Sequence, residues 1–533
     1  MTIVSLAFFI FVAALTLVYF LVPKSFRWAV LLAGSYVFYW MNSRWLALVL
    51  LGTTLITYLI GLWIQRVQDG RKAYMDAHKA EMDREQRKAY KTATKKTTRR
   101  ILTLGVLVTL APLLYLKYGN FFIDNANALL SWLKVPRQFD HLGLLLPLGI
   151  SFYTLQAIAY LTDIYRGKAT ADRNPAKFAL FMSFFPQIVQ GPIPRHGQLA
   201  KQLYEGHEFD YTRVCHGVQL MVWGLFKKIV IGERIAIPVN ALFDGYSSYT
   251  GPILFFAAMM YGLQVYADFS GGMDIARGVA QILGIELELN FRQPYFSSSV
   301  EEFWRRWHMT MGNWMRDYVF YPLSMSKAFT TFGQKSRKLL GQYVGKRLPP
   351  FCAMFIVYIL VGLWHGAAWN YVVFGLWNGV FIMLGILMDG LHDKARQLLH
   401  IQEETITWRI FRIVRTFVVI SFGRYFSRGN SLKDALDMIG NSFKNWRDIT
   451  FLTNGTLLKL GLDTANWVAL AVFLLVLFYV DLVHERDISF RNVIDRQNII
   501  FRWLIYIGAV LVILVFGMYG PQYDAASFIY QGF

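Results

Sequence analysis

The chain contains little cysteine and little charge for its length. Cys215 and Cys352 are the two cysteines among 533 residues, so the sequence indicates no disulfide framework, and we expect no redox role. Charged residues make up 17% of the chain, whereas a soluble domain carries about 25%. Hydrophobic residues make up 55%. This composition excludes an ordinary soluble globular protein.

Several catalytic and cofactor-binding motifs are also missing. The sequence has no H-E-x-x-H motif and no cluster of cysteine and histidine at metal-ligand spacing. It has no G-x-S-x-G elbow, no P-loop and no G-x-G-x-x-G fingerprint. We therefore predict no metal ligands and no tightly bound cofactor.

Long apolar runs are what the sequence has in abundance. Runs of roughly twenty residues recur along it, which is the length that crosses a bilayer core as a helix. They are continuous rather than alternating, so membrane strands are not expected. The pattern predicts an all-α polytopic membrane protein with a single membrane domain over residues 1–533. The segments 184–195 and 266–278 are interrupted by Gly and Pro, and we predict that they are re-entrant.

Positive charge is concentrated between the apolar runs. The net charge is +20, and we assign it to topology and anionic lipid headgroups rather than to nucleic acid. Residues 65–100 contain twelve Lys/Arg against five Asp/Glu, which predicts a helical cytoplasmic excursion. With three runs before it, the N-terminus is predicted outside the cytoplasm, and so is the tail 520–533.

The segment from Val361 to Gly379, VGLWHGAAWNYVVFGLWNG, places an imidazole in an apolar run. Glycines and tryptophans flank His365, and an ionisable group at membrane depth indicates a functional site. A neutral buried imidazole could act as a general base. The alternative is a histidine whose hydrogen bonds are satisfied by a neighbouring carbonyl.

A second Trp-His pair lies upstream, in residues 303–323. His308 is predicted on a continuous helix, with Trp304 one turn before it and Gly312 one turn after it. It could orient His365 or substrate, while nearby arginines meet phosphates of the donor. The alternative is an interfacial amphipathic helix. The candidate substrate-binding residues are Arg305, Arg306, Asn313, Trp364 and Asp317. For the carboxylates Asp163, Asp268 and Asp274, helix packing and charge pairing are favoured over catalysis.

Six motifs together resemble the membrane-bound O-acyltransferase family in its bacterial cell-envelope branch. That branch includes alginate O-acetyltransferase, the peptidoglycan O-acetyltransferase membrane subunit and the teichoic-acid D-alanyltransferase membrane subunit. The motifs fall within the predicted catalytic core 145–380: PLGISFYTLQ (147–156), FFPQIVQGPI (184–193), YADFSGGMDIA (266–276), NFRQPY (290–295), FWRRWHMTMGNWMRDY (303–318) and GLWHGAAWNYVVFGLWNG (362–379).

The resemblance implies a fold and a reaction. His365 matches the family's essential histidine and His308 its second motif histidine. The fold would be a ring of about 11–13 transmembrane helices around a central funnel in the bacterial cytoplasmic membrane. An acyl thioester donor, acetyl-CoA or an acyl carrier protein, would meet a hydroxyl acceptor there. A separate SGNH-like extracytoplasmic transferase is the expected partner.

The C-terminal hexapeptide FIYQGF resembles a short aromatic motif of such acylation systems. Tyr530 would carry the acyl group as a phenyl ester between the membrane enzyme and the extracellular transferase. The alternative is an ordinary aromatic residue at the membrane interface.

Three other functions are left open by the sequence. A D-alanyl version would use a carrier-protein thioester instead of acetyl-CoA. A transporter or flippase of a lipid-linked sugar would favour two related halves with broken helices, which the sequence does not suggest. An inactive scaffold for an extracellular transferase would not need His365.

Overall fold

The computed structural model describes residues 1–519 of the chain. Within that range the regular structure is helical, and β-pairing is limited to an isolated bridge between Phe291 and Trp307. The predicted all-α class is confirmed. Tyr530 and the rest of the FIYQGF motif lie outside the described residues.

The chain forms two compact units. The first comprises Met1–Val218 and Ala276–Glu288, and the second comprises Gln219–Ile275 and the described residues from Leu289 onward. Helices of the first unit are α1 (Leu6–Leu21), α2 (Arg27–Ser43), α3 (Ala47–Ala77), α4 (Arg84–Trp132), α5 (Ile150–Arg166), α6 (Pro175–Ser183), α7 (Phe185–Gln190) and α8 (His196–Tyr204).

The following helices complete the described chain. They are α9 (Tyr211–Leu225), α10 (Glu233–Asp244), α11 (Pro252–Ile282), α12 (Val300–Arg306), α13 (Met309–Met315), α14 (Tyr321–Ser324), α15 (Lys327–His365), α16 (Trp369–Leu387), α17 (Asp389–Leu398), α18 (Ile406–Arg428), α19 (Leu432–Phe443), α20 (Thr464–Glu485), α21 (Phe490–Asp495) and α22 (Ile499–Phe516). A π-helical stretch, Phe226–Gly232, joins α9 to α10.

Eight helical stretches of the described chain are long and apolar enough to cross a membrane. They are Lys24–Ala77, Arg84–Trp132, Tyr211–Asp244, Pro252–Ile282, Lys327–His365, Trp369–Leu387, Thr464–Glu485 and Ile499–Phe516. The first contains both α2 and α3, and the shorter α1 is also apolar. The protein is therefore a multi-pass membrane protein. The ring of about 11–13 helices around a funnel stays a prediction.

One of the two predicted re-entrant segments is wrong. Residues 266–278 lie inside the unbroken helix α11, because their glycines serve packing: a Cβ on Gly271 would lie 2.7 Å from the carbonyl oxygen of Gly224. Residues 184–195 contain the short helix α7, with Pro186 in its first turn, and an extended segment follows. Whether this segment is re-entrant stays a prediction.

The predicted continuous helix through His308 is also wrong. Helix α12 ends at Arg306, and α13 begins at Met309 after a turn in which His308 has φ 47° and ψ 52°. The Arg292 N–H donates to the Arg306 carbonyl at 2.9 Å, and the Met309 N–H donates to the Asn290 carbonyl at 3.0 Å. These bonds to residues 290 and 292, which are distant in the sequence, replace hydrogen bonds of a continuous helix. The chain therefore turns at the second Trp-His pair.

Candidate active site

His365 is the last residue of α15 and lies in the tightly packed hairpin that α15 forms with α16. The Gly366 N–H donates to the Gly362 carbonyl at 3.3 Å, and α16 starts only four residues after His365, at Trp369. The imidazole is 5% exposed and packs edge-on against Phe374, with 5.4 Å between ring centroids. The hairpin therefore holds this imidazole in an apolar, aromatic environment.

Glycines allow the two helices of the hairpin to touch. A Cβ on Gly362 would overlap the Tyr371 carbonyl oxygen, and a Cβ on Gly375 would overlap the Tyr358 carbonyl oxygen. Small residues at such contacts let helix backbones approach closely in a membrane. The position of His365 thus depends on glycines placed on both α15 and α16.

His308 lies in a second buried turn of the same unit. The ring is 2% exposed and packs edge-on against Phe269, with centroids 5.1 Å apart. Its left-handed backbone is unusual for a residue with a side chain and carries strain of about 1–3 kcal/mol. Burial lowers the pKa of His308 to about 3, so the imidazole is uncharged near neutral pH.

Aromatic contacts connect the two histidine segments. The Trp304 ring on α12 lies 6.2 Å from the Phe374 ring, and Phe374 in turn contacts His365. Trp304 also packs against Tyr358 of α15 at 5.9 Å. The two Trp-His motifs, which are 57 positions apart in the sequence, are thus brought into one packed cluster.

Asn290 is a residue of this cluster that the sequence did not single out. Its amide is 1% exposed, and its Nδ2 lies 3.0 Å from Nδ1 of His308. Asn290 belongs to the NFRQPY motif, but eighteen positions separate it from His308. No local sequence pattern could have paired Asn290 with His308, because their contact depends on the turn between α12 and α13.

Arg305 and Arg306 have different surroundings. Arg305 is exposed and pairs with Glu301 at 3.3 Å, four positions earlier on α12. Arg306 is mostly buried and pairs with Glu302 at 2.7 Å and with Glu485 at 2.5 Å. The Arg306 guanidinium therefore joins α12 to α20, and its predicted contact with a donor phosphate stays untested.

The other candidate binding residues lie near these motifs. Trp364 is buried beside His365, and Asn313 is half-buried on α13. Asp317, with 18% of its side chain exposed, pairs with its neighbour Arg316 at 3.4 Å. Their predicted role in substrate binding stays untested.

Buried aspartates of α11 have lysine partners. Asp274 pairs with Lys227 at 2.7 Å, and Asp268 pairs with Lys228; both lysines lie in the π-helical stretch. Lys227 also donates to the Ser270 hydroxyl at 2.8 Å. Charge pairing, the role favoured from the sequence, is what the geometry gives these two carboxylates.

The Glu485 cluster yields a stability prediction. Because Glu485 is mostly buried and also accepts from Arg409 at 3.1 Å, Glu485→Gln should lower the free energy of unfolding by about 1–3 kcal/mol. Glu301→Gln is the matched control, because its exposed pair with Arg305 should contribute at most about 1 kcal/mol. The half-lives of the two purified variants during thermal inactivation would compare their stabilities. Equal half-lives would contradict the structural role of the ion pairs that Glu485 makes with Arg306 and Arg409.

Comparison with known proteins gives a consistent set of relatives. Residues 168–427 match the model of MBOAT, the membrane-bound O-acyltransferase family. The chain is 31% identical over 476 residues to a probable alginate O-acetylase of Pseudomonas syringae pv. tomato, covering 88% of this chain and 81% of that protein.

Two further relatives bear other names. A peptidoglycan O-acetyltransferase of Helicobacter pylori is 29% identical over 446 residues, covering 79% of this chain and 73% of that protein. A teichoic acid D-alanyltransferase of Bacillus subtilis is 28% identical over 288 residues, covering 53% of this chain and 68% of that protein. All three names describe acyl transfer. Both His308 and His365 fall within the range of the family match.

Proposed function

Because the chain belongs to the membrane-bound O-acyltransferase family and is a multi-pass membrane O-acyltransferase, we propose that it moves acetyl from acetyl-CoA toward hydroxyls of a cell-envelope polysaccharide. The observation that carries this proposal is the 31% identity to a probable alginate O-acetylase over most of both chains. The transporter alternative is set aside, because the family and the names of its members describe acyl transfer.

His365 is the proposed general base. The imidazole takes the proton of the acceptor hydroxyl while the hydroxyl oxygen attacks the carbonyl carbon of the thioester. The carbon–sulfur bond then breaks, and the thiolate leaves as coenzyme A after taking up a proton. The burial of His365 and its edge-on packing against Phe374 support this role, because general-base catalysis requires an imidazole that is held in a fixed position.

The setting of the reaction is part of the proposal. We place the protein in the bacterial cytoplasmic membrane among lipids, with both termini extracytoplasmic and the basic segment 65–100 on the cytoplasmic side. The donor arrives from the cytoplasm, no cofactor is tightly bound, and nucleic acid is not a partner. An SGNH-like extracytoplasmic transferase completes delivery to the polymer.

Tyr530 is the proposed acyl relay between the two enzymes. Its phenol oxygen accepts the acetyl group, and the resulting phenyl ester is more reactive than an alkyl ester, so the second transfer is downhill. Tyr530 lies outside the described residues, and the resemblance of FIYQGF to an aromatic acylation motif supports this step.

The donor class can be tested with the purified protein in lipid nanodiscs. The protein should consume acetyl-CoA and release free thiol, whereas a D-alanyl enzyme would consume only a D-alanyl carrier-protein thioester. If the protein turns over only the carrier-protein thioester, the proposed acyl group would be D-alanyl instead of acetyl. Turnover of neither donor, with or without the extracytoplasmic partner, would overturn the proposed function.

Loss of the relay gives a separate prediction. Tyr530→Phe should remove the labelled acetyl adduct from the C-terminal peptide and lower polymer acetylation by about 10²-fold or more, because no nucleophilic oxygen remains. Mass spectrometry of the trapped complex would measure the adduct, with Tyr523→Phe as a control in the same tail. Full polymer acetylation by Tyr530→Phe would rule out the relay.

A further inference from the structure

The Asn290 side chain makes a specific set of contacts at the His308 turn. Its Oδ1 lies 2.9 Å from the Thr310 backbone nitrogen and 2.9 Å from the Thr310 hydroxyl. Its Nδ2 lies 3.0 Å from His308 Nδ1 and 3.6 Å from the Met273 sulfur. The amide is therefore held on both sides.

The Thr310 N–H fixes which way the amide points. A backbone N–H can only donate, so the atom that faces it must be the amide oxygen. The NH₂ group of Asn290 then faces His308. Nδ1 also lies 3.3 Å from Oδ1, but that oxygen already accepts two shorter bonds from Thr310, which use both of its lone pairs.

This orientation decides the tautomer of His308. The Asn290 NH₂ donates to Nδ1, so Nδ1 carries a lone pair and, in the neutral ring, the hydrogen is on Nε2. The backbone supports the arrangement, because the Asn290 carbonyl accepts from the Met309 N–H at 3.0 Å. Both the side chain and the main chain of Asn290 thus fasten the turn that carries His308.

We propose that Asn290 is a positioning residue that holds neutral His308 with its hydrogen on Nε2, so that His308 serves as a hydrogen-bond donor while His365 serves as the base. This inference rests on the proposed function. The Nε2–H of His308 donates to the carbonyl oxygen of the acyl group as negative charge develops there during attack. A donor aimed at such an oxygen contributes about 10²–10³ in kcat.

A division of labour between the two imidazoles follows. A general base needs an unprotonated ring nitrogen with an available lone pair, whereas a group that stabilises an oxyanion needs an N–H donor. The low pKa of His308 (about 3) fits a ring that stays neutral during the reaction. A neutral donor can stabilise an oxyanion without giving up its proton to it.

The charged groups on the elements packed around His308 have their own partners. On α11, Asp268 and Asp274 pair with Lys228 and Lys227. On α12, Arg306 pairs with Glu302 and Glu485, and on α18 the Arg424 guanidinium stacks over Trp307 at 5.0 Å. The group in contact with Nδ1 of His308, at 3.0 Å, is the neutral amide of Asn290.

Asn290→Asp tests the proposal with almost no change in shape. A carboxylate keeps the acceptor for Thr310 but can only accept from His308, so the hydrogen should move to Nδ1 and the His308 pKa should rise. Solid-state NMR of protein labelled with ring-¹⁵N histidine in lipid would report the tautomer, with His308→Gln used to assign the signal. We expect Nε2–H in the wild type and Nδ1–H in Asn290→Asp; Nδ1–H or imidazolium in the wild type at pH 7 would overturn the proposal.

The pH dependence of kcat separates a positioning role from a structural one. In Asn290→Asp, cationic His308 keeps its Nε2–H at low pH. As pH rises through the raised pKa, the ring loses that hydrogen, and kcat should fall by about 10²–10³-fold. The wild type should show no such descending limb. A loss of kcat that is equal at every pH would overturn the catalytic part of the proposal.

Matched variants keep the result interpretable. Asn120→Asp is the control, because Asn120 also fastens a loop, through bonds of 2.8 and 3.1 Å to Leu142, and should leave the pH profile unchanged. Failure of the proposed function is distinguishable: the protein would then turn over no thioester donor, while the tautomer of His308 would still be readable by NMR.

Discussion

His365→Ala is expected to lower kcat for acyl transfer by about 10²–10⁴-fold, with a smaller effect on KM for the thioester. General-base catalysis by a positioned side chain contributes about this factor. His365 is buried at the end of α15 and fixed by aromatic packing against Phe374. Its loss removes the proposed proton acceptor and leaves the predicted substrate-binding residues in place.

The measurement is the steady-state rate of thiol release by purified protein in nanodiscs, with the acceptor or partner present. His78→Ala is the matched control, because His78 follows α3 in the first compact unit, whereas His365 belongs to the second; this variant should retain wild-type kcat. A His365→Ala protein that folds and acylates at the wild-type rate would favour the scaffold alternative.

Gly375→Ala is expected to lower activity by about 10²-fold or more, because it disturbs helix packing rather than removing a reacting group. A Cβ at this position would overlap the Tyr358 carbonyl oxygen and lie 2.9 Å from the Gly362 nitrogen. Both are backbone atoms, which cannot rotate away, so the α15–α16 hairpin must separate. Overpacking of this kind costs about 1–3 kcal/mol or more, and a shift of about 1 Å at the catalytic group can cost about 10² in rate.

Gly385→Ala on the same helix is the matched control. No atom lies within 4 Å of a Cβ built at Gly385, and alanine is a better helix former than glycine by about 1 kcal/mol. We expect a lower unfolding temperature and turnover reduced by about 10²-fold or more for Gly375→Ala, and an unchanged or higher unfolding temperature for Gly385→Ala. Wild-type turnover by Gly375→Ala would contradict the prediction, because it would show that activity does not require close contact between α15 and α16 at Gly375.

The hairpin could be predicted from the sequence because its information is local. Gly362, His365 and Gly375 lie within fifteen residues, and small residues at helical spacing indicate close helix packing in a membrane. The burial of His365 follows from the apolar run in which it lies. The same reasoning predicted the helical class of the chain.

The His308 turn could not be predicted because its cause is distant in the sequence. Residues 303–315 have the composition of one amphipathic helix, yet bonds from Arg292 and to Asn290 end α12 and restart the chain as α13. The role of Arg306 was hidden in the same way. Its partner Glu485 is 179 positions away, so the sequence gave no indication of this ion pair, and the predicted contact of Arg306 with a donor phosphate stays a prediction.

The glycine interruption in α11 was misjudged for a related reason. Glycine in a helical run can mark a break or a close contact, and the sequence alone does not distinguish the two. Gly271 lies against Gly224, a partner on another helix. The contact makes the continuous helix the better-packed structure.

The most direct test of the account uses sealed proteoliposomes with acetyl-labelled coenzyme A on one side and the acceptor or extracytoplasmic transferase on the other. Wild-type protein should move the acetyl label to the opposite side while the coenzyme A moiety stays behind as free thiol, and His365→Ala should move no label. Passage of intact donor, or equal transfer of acetyl by His365→Ala, would contradict the claim that this buried imidazole activates a hydroxyl against a thioester.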